Sequence, residues 1–487
     1  MERQIRRIAA GFLLLFLALA VNVNYVQVIA AEDLRNNPHN KRLLIEEYDV
    51  RRGQIIAANR ETVLAESKPT QGQLKYLRRY PNGQLYAHIT GYYSFVFGRS
   101  ELEQSFNDEL AGRSAELLPQ RLVDELLGRD RRGAGLVLSI VPRLQRIASR
   151  GLGEREGAVA AIDPQTGEVL ALVARPTFDP NRLSSHDGKK IRAAWDELNA
   201  DKDKPLVSNA SDEYFPPGST FKIVVAAAAL ENGMTPEDNL PNPPELDLPQ
   251  TNETLENFGG GQCPGGSQIS LAQALEVSCN VAFGALGLDL GAERLSEQAR
   301  RFGFGRDIPF HIPFQEGTFP EPEHFADNQP LVALSAIGQA DVNANALHMA
   351  LVAGAIGNDG VMMEPRLVTE VRDPSGRVAR RLEPAVYGEA MSPQSARRLA
   401  RMMQAVVESG TGTAAQIDGV SVGGKTGTAQ QPGGDPHAWF VSFAPVEDPT
   451  IAVAVVVLNG GDAGSEATGG EVAAPIARDV MAAALRG

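Results

Sequence analysis

The sequence predicts an α+β protein, an antiparallel sheet covered by helices, carried behind a mixed, strand-containing module and one N-terminal transmembrane helix. Three observations predict it. Residues 8–28 form an apolar run behind three arginines. Two apolar runs, 158–163 and 168–173, flank Pro164-Gln165-Thr166-Gly167, as the arms of a hairpin flank its turn. Residues 423–430, 438–444 and 451–458 read as three strands in series, with a closing helix after them over 471–485.

Arg3, Arg6 and Arg7 precede the first run, which as a helix would span about 31 Å, the thickness of a bilayer core. Basic residues on that side put the N-terminus in the cytoplasm and the rest of the chain outside. A cleaved signal peptide ending at Ala18-Leu19-Ala20 is the alternative, but the apolar run continues past that site. Residues 1–30 are therefore read as tail and anchor. Residues 31–134 are richer in Arg, Asn, Gln and Tyr, with short apolar segments between turns; Arg52-Gly53-Gln54-Ile55 and Gly98-Arg99-Ser100-Glu101-Leu102-Glu103 look like turn-bounded patches of a spacer or interaction module. Residues 135–487 form the third unit. In it Pro142 opens a helix, 269–288 and 347–356 read as helical, and Asp435-Pro436 and Asp448-Pro449 separate the last strands.

Composition removes several function classes. At 487 residues the chain needs more than one core, and 43% hydrophobic residues is too few for a polytopic membrane protein. A net charge of −14 argues against a nucleic-acid partner. Two cysteines outside any Cys-x-x-Cys pattern and seven scattered histidines give no metal site.

The chemistry centres on Phe215-Pro216-Pro217-Gly218-Ser219-Thr220-Phe221-Lys222 and the apolar run behind it. Pro217 and Gly218 predict a tight turn, Ser219 a helix start, and Lys222 a position one turn on, on the same face. A buried amine can deprotonate that hydroxyl if it is neutral. A free lysine titrates near ~10.4, so neutrality at pH 7 needs a drop of roughly 3 units, about 4 kcal/mol, which burial and the helix dipole both favour. Two further motifs lie downstream: Ser278-Cys279-Asn280 within the predicted helix, and Lys425-Thr426-Gly427-Thr428 on a predicted strand. Ser-x-x-Lys, Ser-x-Asn and Lys-Thr-Gly in that order are the set shared by penicillin-binding proteins and serine β-lactamases.

On these motifs, with Arg52-Gly53 and Trp439-Phe440, the chain resembles a class B penicillin-binding protein, most like the actinobacterial PbpA group. The resemblance implies a penicillin-binding/serine β-lactamase-like transpeptidase domain and a D,D-transpeptidase that cross-links peptidoglycan stem peptides and is acylated by β-lactam antibiotics. It assigns Ser219 as nucleophile, Lys222 as its base, and Ser278 as a proton bridge. Asn280 orients Lys222, and Lys425 supplies charge. Thr426 and Thr428 hold the substrate carboxylate, and Gly427 lets substrate backbone lie along the strand. Backbone N–H groups of Ser219 and Thr428 form the oxyanion hole. No metal or organic cofactor is required. A SEDS-family glycosyltransferase in the membrane and other division or cell-wall proteins are the implied partners.

His437 is read as a loop residue lining the cleft, Glu276 as a solvated helix charge, and Trp439 and Phe440 as core or cleft wall. Cys263 and Cys279 close a loop of about 16 residues; a disulfide fastening Gly259-Gly260-Gly261 beside the site would contribute about 3 kcal/mol, and two buried thiols are the alternative. Against a class A β-lactamase, no glutamate between Asn280 and Lys425 has an asparagine four residues on. A D,D-carboxypeptidase on the same fold and a cell-wall scaffold through residues 31–134 remain as rival readings.

Overall fold

The computed structural model describes residues 2–26, 47–72, 74–117, 126, 130–326, 328–431 and 433–486. The end of the predicted apolar run at 27–28 and the predicted boundary between residues 30 and 31 lie outside them. The first helix, α1 (Glu2–Asn24), contains an 18-residue window of mean hydropathy 1.8, and its side chains from Arg3 to Asn24 are exposed throughout. By length and composition it can cross a bilayer.

Two sheets organise the remainder of the chain. Their strands, in chain order, are Ile55–Ile56 (β1), Val63–Pro69 (β2), Tyr76–Arg79 (β3), Gly135–Leu138 (β4), Gly157–Ile162 (β5), Val169–Arg175 (β6), Val368–Arg372 (β7), Val378–Arg381 (β8), Gly423–Gln431 (β9), Gly434–Ala444 (β10) and Ile451–Val457 (β11). The first sheet runs β8-β7-β4-β1-β2-β3, antiparallel except where β1 meets β4. Its hairpin β7–β8 comes from more than two hundred residues downstream of β4, so the pedestal sheet is completed by the catalytic half of the chain. The second sheet runs β9-β10-β11-β5-β6 and is antiparallel throughout.

Helices cover both faces of the second sheet because its central strands are apolar on both. Along β11, Val453, Val455 and Val457 pack with Leu144 and Ala148 of α2 (Pro142–Leu152) and with residues of the C-terminal helix, while Ala452, Ala454 and Val456 join the core of the other face. That other core holds α3 (Lys222–Glu231), α4 (Leu271–Glu276), α5 (Asn280–Arg301), α6 (Ala346–Gly357) and α7 (Pro393–Glu408); α8 (Ala474–Leu485) closes the first face.

Three local expectations are corrected. The segment 269–288 is not one helix: Gln268–Ser270 is a short strand, Ser270 caps α4, and the chain breaks at 277–279 before α5. Asp435-Pro436 does not separate strands; both residues lie inside β10, near its hairpin end and opposite the irregularity between Ala429 and Gln431. There a missing N–H is tolerated. The two turn-bounded patches of the pedestal are one structure, since Glu103 accepts from Arg52 Nε at 2.6 Å and from Arg78 Nε at 2.5 Å.

Candidate active site

A 3-10 turn, Gly218–Phe221, carries Ser219 into α3, with Pro217 before it. Gly218 has φ +54°, a conformation glycine adopts without strain. A Cβ there would also come within 2.8 Å of the Thr428 carbonyl oxygen, so the turn lies directly against β9. Its amide donates to the Gly338 carbonyl at 3.0 Å. Trp439, fully buried on β10, donates its indole N–H to the Pro216 carbonyl at 2.9 Å. The nucleophile turn is thus clamped to the sheet from two sides.

Ser278 sits in the break between α4 and α5 at φ +61°. A non-glycine residue there costs on the order of 1–3 kcal/mol, a penalty met mostly at functional sites. The break turns both Ser278 oxygens toward Lys222: Nζ donates to the Ser278 carbonyl at 2.7 Å, to Asn280 Oδ1 at 2.7 Å, and lies 3.4 Å from Ser278 Oγ. From the opposite side Lys425 Nζ donates to Ser278 Oγ at 2.8 Å and to the Thr426 carbonyl at 2.9 Å. Lys222, Ser278, Asn280 and Lys425 therefore share one network, and Ser219 stands three residues before Lys222, partly exposed, its hydroxyl without a hydrogen bond among the described residues.

Both amines are fully buried, and every hydrogen-bond partner is a neutral oxygen. Burial, and then the neighbouring Lys425, hold the Lys222 amine well below the ordinary lysine range. Burial brings Lys425 down to about 7. A neutral amine has two N–H donors and one lone pair. In that form the two shortest contacts of Lys222, to the Ser278 carbonyl and Asn280 Oδ1, take its N–H bonds, and the lone pair can receive a proton.

On β9, Thr426 is buried and its hydroxyl is 2.6 Å from that of Thr411, while Thr428 is partly exposed on this edge strand. Gly427 has a second reason beside the one expected. A Cβ there would meet the Pro217 carbonyl and Thr220 Cγ2, both at 2.8 Å, so the glycine serves the packing of strand on turn.

Cys263 and Cys279 are joined by a disulfide, Cα atoms 6.1 Å apart. Cys279 is the N-cap residue of α5, but the cap itself comes from Asn257, whose Oδ1 accepts from the amides of Asn280 at 2.8 Å and Val281 at 3.1 Å. Asn257 Nδ2 in turn donates to the Gly261 carbonyl at 2.8 Å. The glycine loop is thereby tied to the start of α5.

His437 is a β10 residue and no loop lining; it is buried edge-on against Phe215, its Nδ1 accepts from the Asn459 amide at 3.1 Å, and burial lowers it to about 4. Glu276 is a partly exposed helix charge, as expected, that also accepts from the Ser409 hydroxyl at 2.6 Å. Trp439 and Phe440 are core. Asn257, Thr411, Gly338 and the anchoring role of Trp439 went unseen in the sequence, because each acts through a contact distant in the chain. The one legible hint was Asn257 standing just ahead of three glycines.

Comparison with known proteins agrees with this geometry. The family described as the penicillin binding protein transpeptidase domain matches residues 157–482, and the penicillin binding protein A dimerisation domain matches residues 52–136. The chain is 41% identical to the peptidoglycan D,D-transpeptidase PbpA of Mycolicibacterium smegmatis over 100% of this chain and 99% of that protein. It is 39% identical to the PbpA of Mycobacterium tuberculosis over 100% of both. Among solved structures, the ceftriaxone acyl-enzyme of M. tuberculosis penicillin-binding protein A superposes with a TM-score of 0.86 at 38% identity, covering 91% of this chain and 100% of that one. The D,D-transpeptidase domain from Eggerthella lenta gives 0.77 at 32% identity, over 90% and 99%.

Proposed function

The chain belongs to the class B penicillin-binding proteins, and from that membership we propose how its cleft divides the work of acyl transfer. The protein is a peptidoglycan D,D-transpeptidase of cell-wall synthesis, a serine acyltransferase that β-lactams acylate. Ser219 Oγ attacks the carbonyl carbon of the penultimate D-Ala as its proton passes to the Lys222 lone pair. The N–H groups of Ser219 and Thr428 hold the oxyanion. Ser278 carries the proton to the departing D-Ala nitrogen, whose C–N bond breaks. Lys425, in its charged form, and the Thr428 hydroxyl hold the substrate carboxylate. The Thr426 hydroxyl, shared with Thr411, positions the strand. The amine of a second stem peptide then attacks the ester, giving the cross-link and freeing Ser219.

One observation carries this reading: a deeply buried Lys222 amine meets only neutral oxygen acceptors, three residues after a serine whose hydroxyl has no hydrogen bond among the described residues. Intact-protein mass spectrometry with a penicillin tests it. Wild type gains one penicilloyl group and Ser219→Ala gains none; an equal adduct on the variant would remove Ser219 from the role. Stem-peptide dimers in the products, rather than free D-Ala alone, separate transpeptidation from carboxypeptidation.

We place the catalytic unit at residues 135–487 outside the membrane and the interaction module at 31–134, behind the anchor formed by α1. Three arginines at the N-terminal end of the apolar run support that direction. A SEDS-family glycosyltransferase is the proposed membrane partner, since a cross-linking enzyme needs newly polymerised strands. Co-purification with and without residues 1–30 checks it.

A further inference from the structure

At one end of the pedestal sheet a cavity of about 300 Å³ opens among Gln54, Gly133, Arg51, Arg132, Arg372 and Asp373. The strand register explains the cluster. Arg51 and Arg132 form a parallel bridge, with the Gly133 amide donating to the Arg51 carbonyl at 2.9 Å, and Arg372 stands opposite Gly135 on the next strand. Three guanidinium-bearing residues thus come from adjacent strand ends.

Their charges are not equally met. Arg372 pairs with Glu370 at 2.7 Å, and Asp373 is taken by Arg377 at 3.0 Å and by the Ser375 hydroxyl at 2.6 Å. Arg51 and Arg132 are exposed, and neither guanidinium has an ion pair or hydrogen bond among the described residues. By contrast, Arg99 and Arg113 share Glu47, at 3.1 and 2.9 Å. Like charges on facing strand positions are destabilising when nothing lies between them. A concave site holding two such charges is stabilised by an anion, and guanidinium geometry suits the two-oxygen edge of a phosphate. At roughly 30 Å³ per water the space equals about ten waters, more than a bare phosphate fills.

We propose that this cavity is a binding site for a phosphorylated group larger than inorganic phosphate, a pyrophosphate or a phosphate-bearing headgroup, held between Arg51 and Arg132. The site is remote in sequence from the acyl-transfer motifs and lies on the module next to the anchor, so its ligand comes either from solution or from the lipid surface.

Calorimetric titration of the full chain in phosphatidylcholine nanodiscs with inorganic pyrophosphate tests it. Wild type binds, and Arg51→Gln/Arg132→Gln weakens binding at least tenfold. Acylation by fluorescent penicillin stays equal in both, which reports an intact fold. Replacing part of the phosphatidylcholine by phosphatidylglycerol lowers the apparent pyrophosphate affinity of wild type if a lipid headgroup is the occupant, and leaves it unchanged if the ligand is soluble. Absence of binding by wild type in phosphatidylcholine discs, or equal binding by wild type and the double variant, overturns the proposal.

Discussion

Glu103 in the pedestal and Lys222 in the cleft are both fully buried ionisable side chains, but their surroundings are of opposite kinds. Glu103 lies between two guanidinium groups, at 2.6 Å from Arg52 and 2.5 Å from Arg78, with the Tyr80 hydroxyl at 3.2 Å. Burial alone would raise its carboxyl, yet the two arginines hold it below the ordinary range, so it stays charged. Lys222 faces neutral oxygens, the Phe283 ring and another amine, with no carboxylate among its hydrogen-bond partners in the described residues, and burial drives it toward the neutral form. Paired burial keeps charge and fixes a junction of strands; unpaired burial removes charge and frees a lone pair. The same desolvation serves architecture in one place and reactivity in the other.

Substitutions should therefore separate the two regions. Lys222→Met is expected to cut the acylation rate by about 10²–10⁴-fold, the range for loss of a general base, with melting unchanged or raised because an amine disfavoured by burial is gone. A large fall in melting temperature would instead make Lys222 structural. Glu103→Gln should do the reverse. Leaving Arg52 and Arg78 unmatched costs about 3–5 kcal/mol by denaturant titration, while acylation per folded molecule is retained. Equal loss of both properties would erase the distinction.

The pH dependence sharpens it. Glu103 titrates below its ordinary 4.5, so its stabilisation is complete above that value and is lost as pH falls through the depressed folded value. Lys425, lowered to about 7 by burial, acts on the alkaline side. If its charged form receives the substrate carboxylate, kcat/KM falls as pH rises through about 7, since that ratio reports the free enzyme. A profile flat across that region would put the charge elsewhere. The smallest effect is expected for Trp439→Phe, which removes the hydrogen bond to Pro216 and should cost about 1 kcal/mol with a modest slowing of acylation.

How much of this was legible in the sequence depended on the range of the interaction. The three motifs could be read because acyl transfer fixes both residue type and order, and β11 could be read because it is apolar on both faces. The break at Ser278 could not. Residues 269–288 keep a helical pattern, and what interrupts them is a cap from Asn257 and a disulfide from Cys263. Pro436 misled for a similar reason, because a local breaker is harmless at the hairpin end of β10 beside an irregular register. Arg52 and Glu103 are 51 residues apart, and a charge pair has no period to detect. The β7–β8 hairpin joins the pedestal sheet by a contact that no local pattern encodes.

The neutrality of Lys222 is the point on which the catalytic account turns. It is measured most directly by lysine-selective ¹³Cε labelling of the full chain, with the Lys222 resonance assigned by its loss in Lys222→Met. The predicted result is a signal already at the neutral-amine shift at a pH where ordinary lysines remain charged. A Lys222 signal that is charged at pH 7 and titrates near ~10.4 with those lysines would contradict the account.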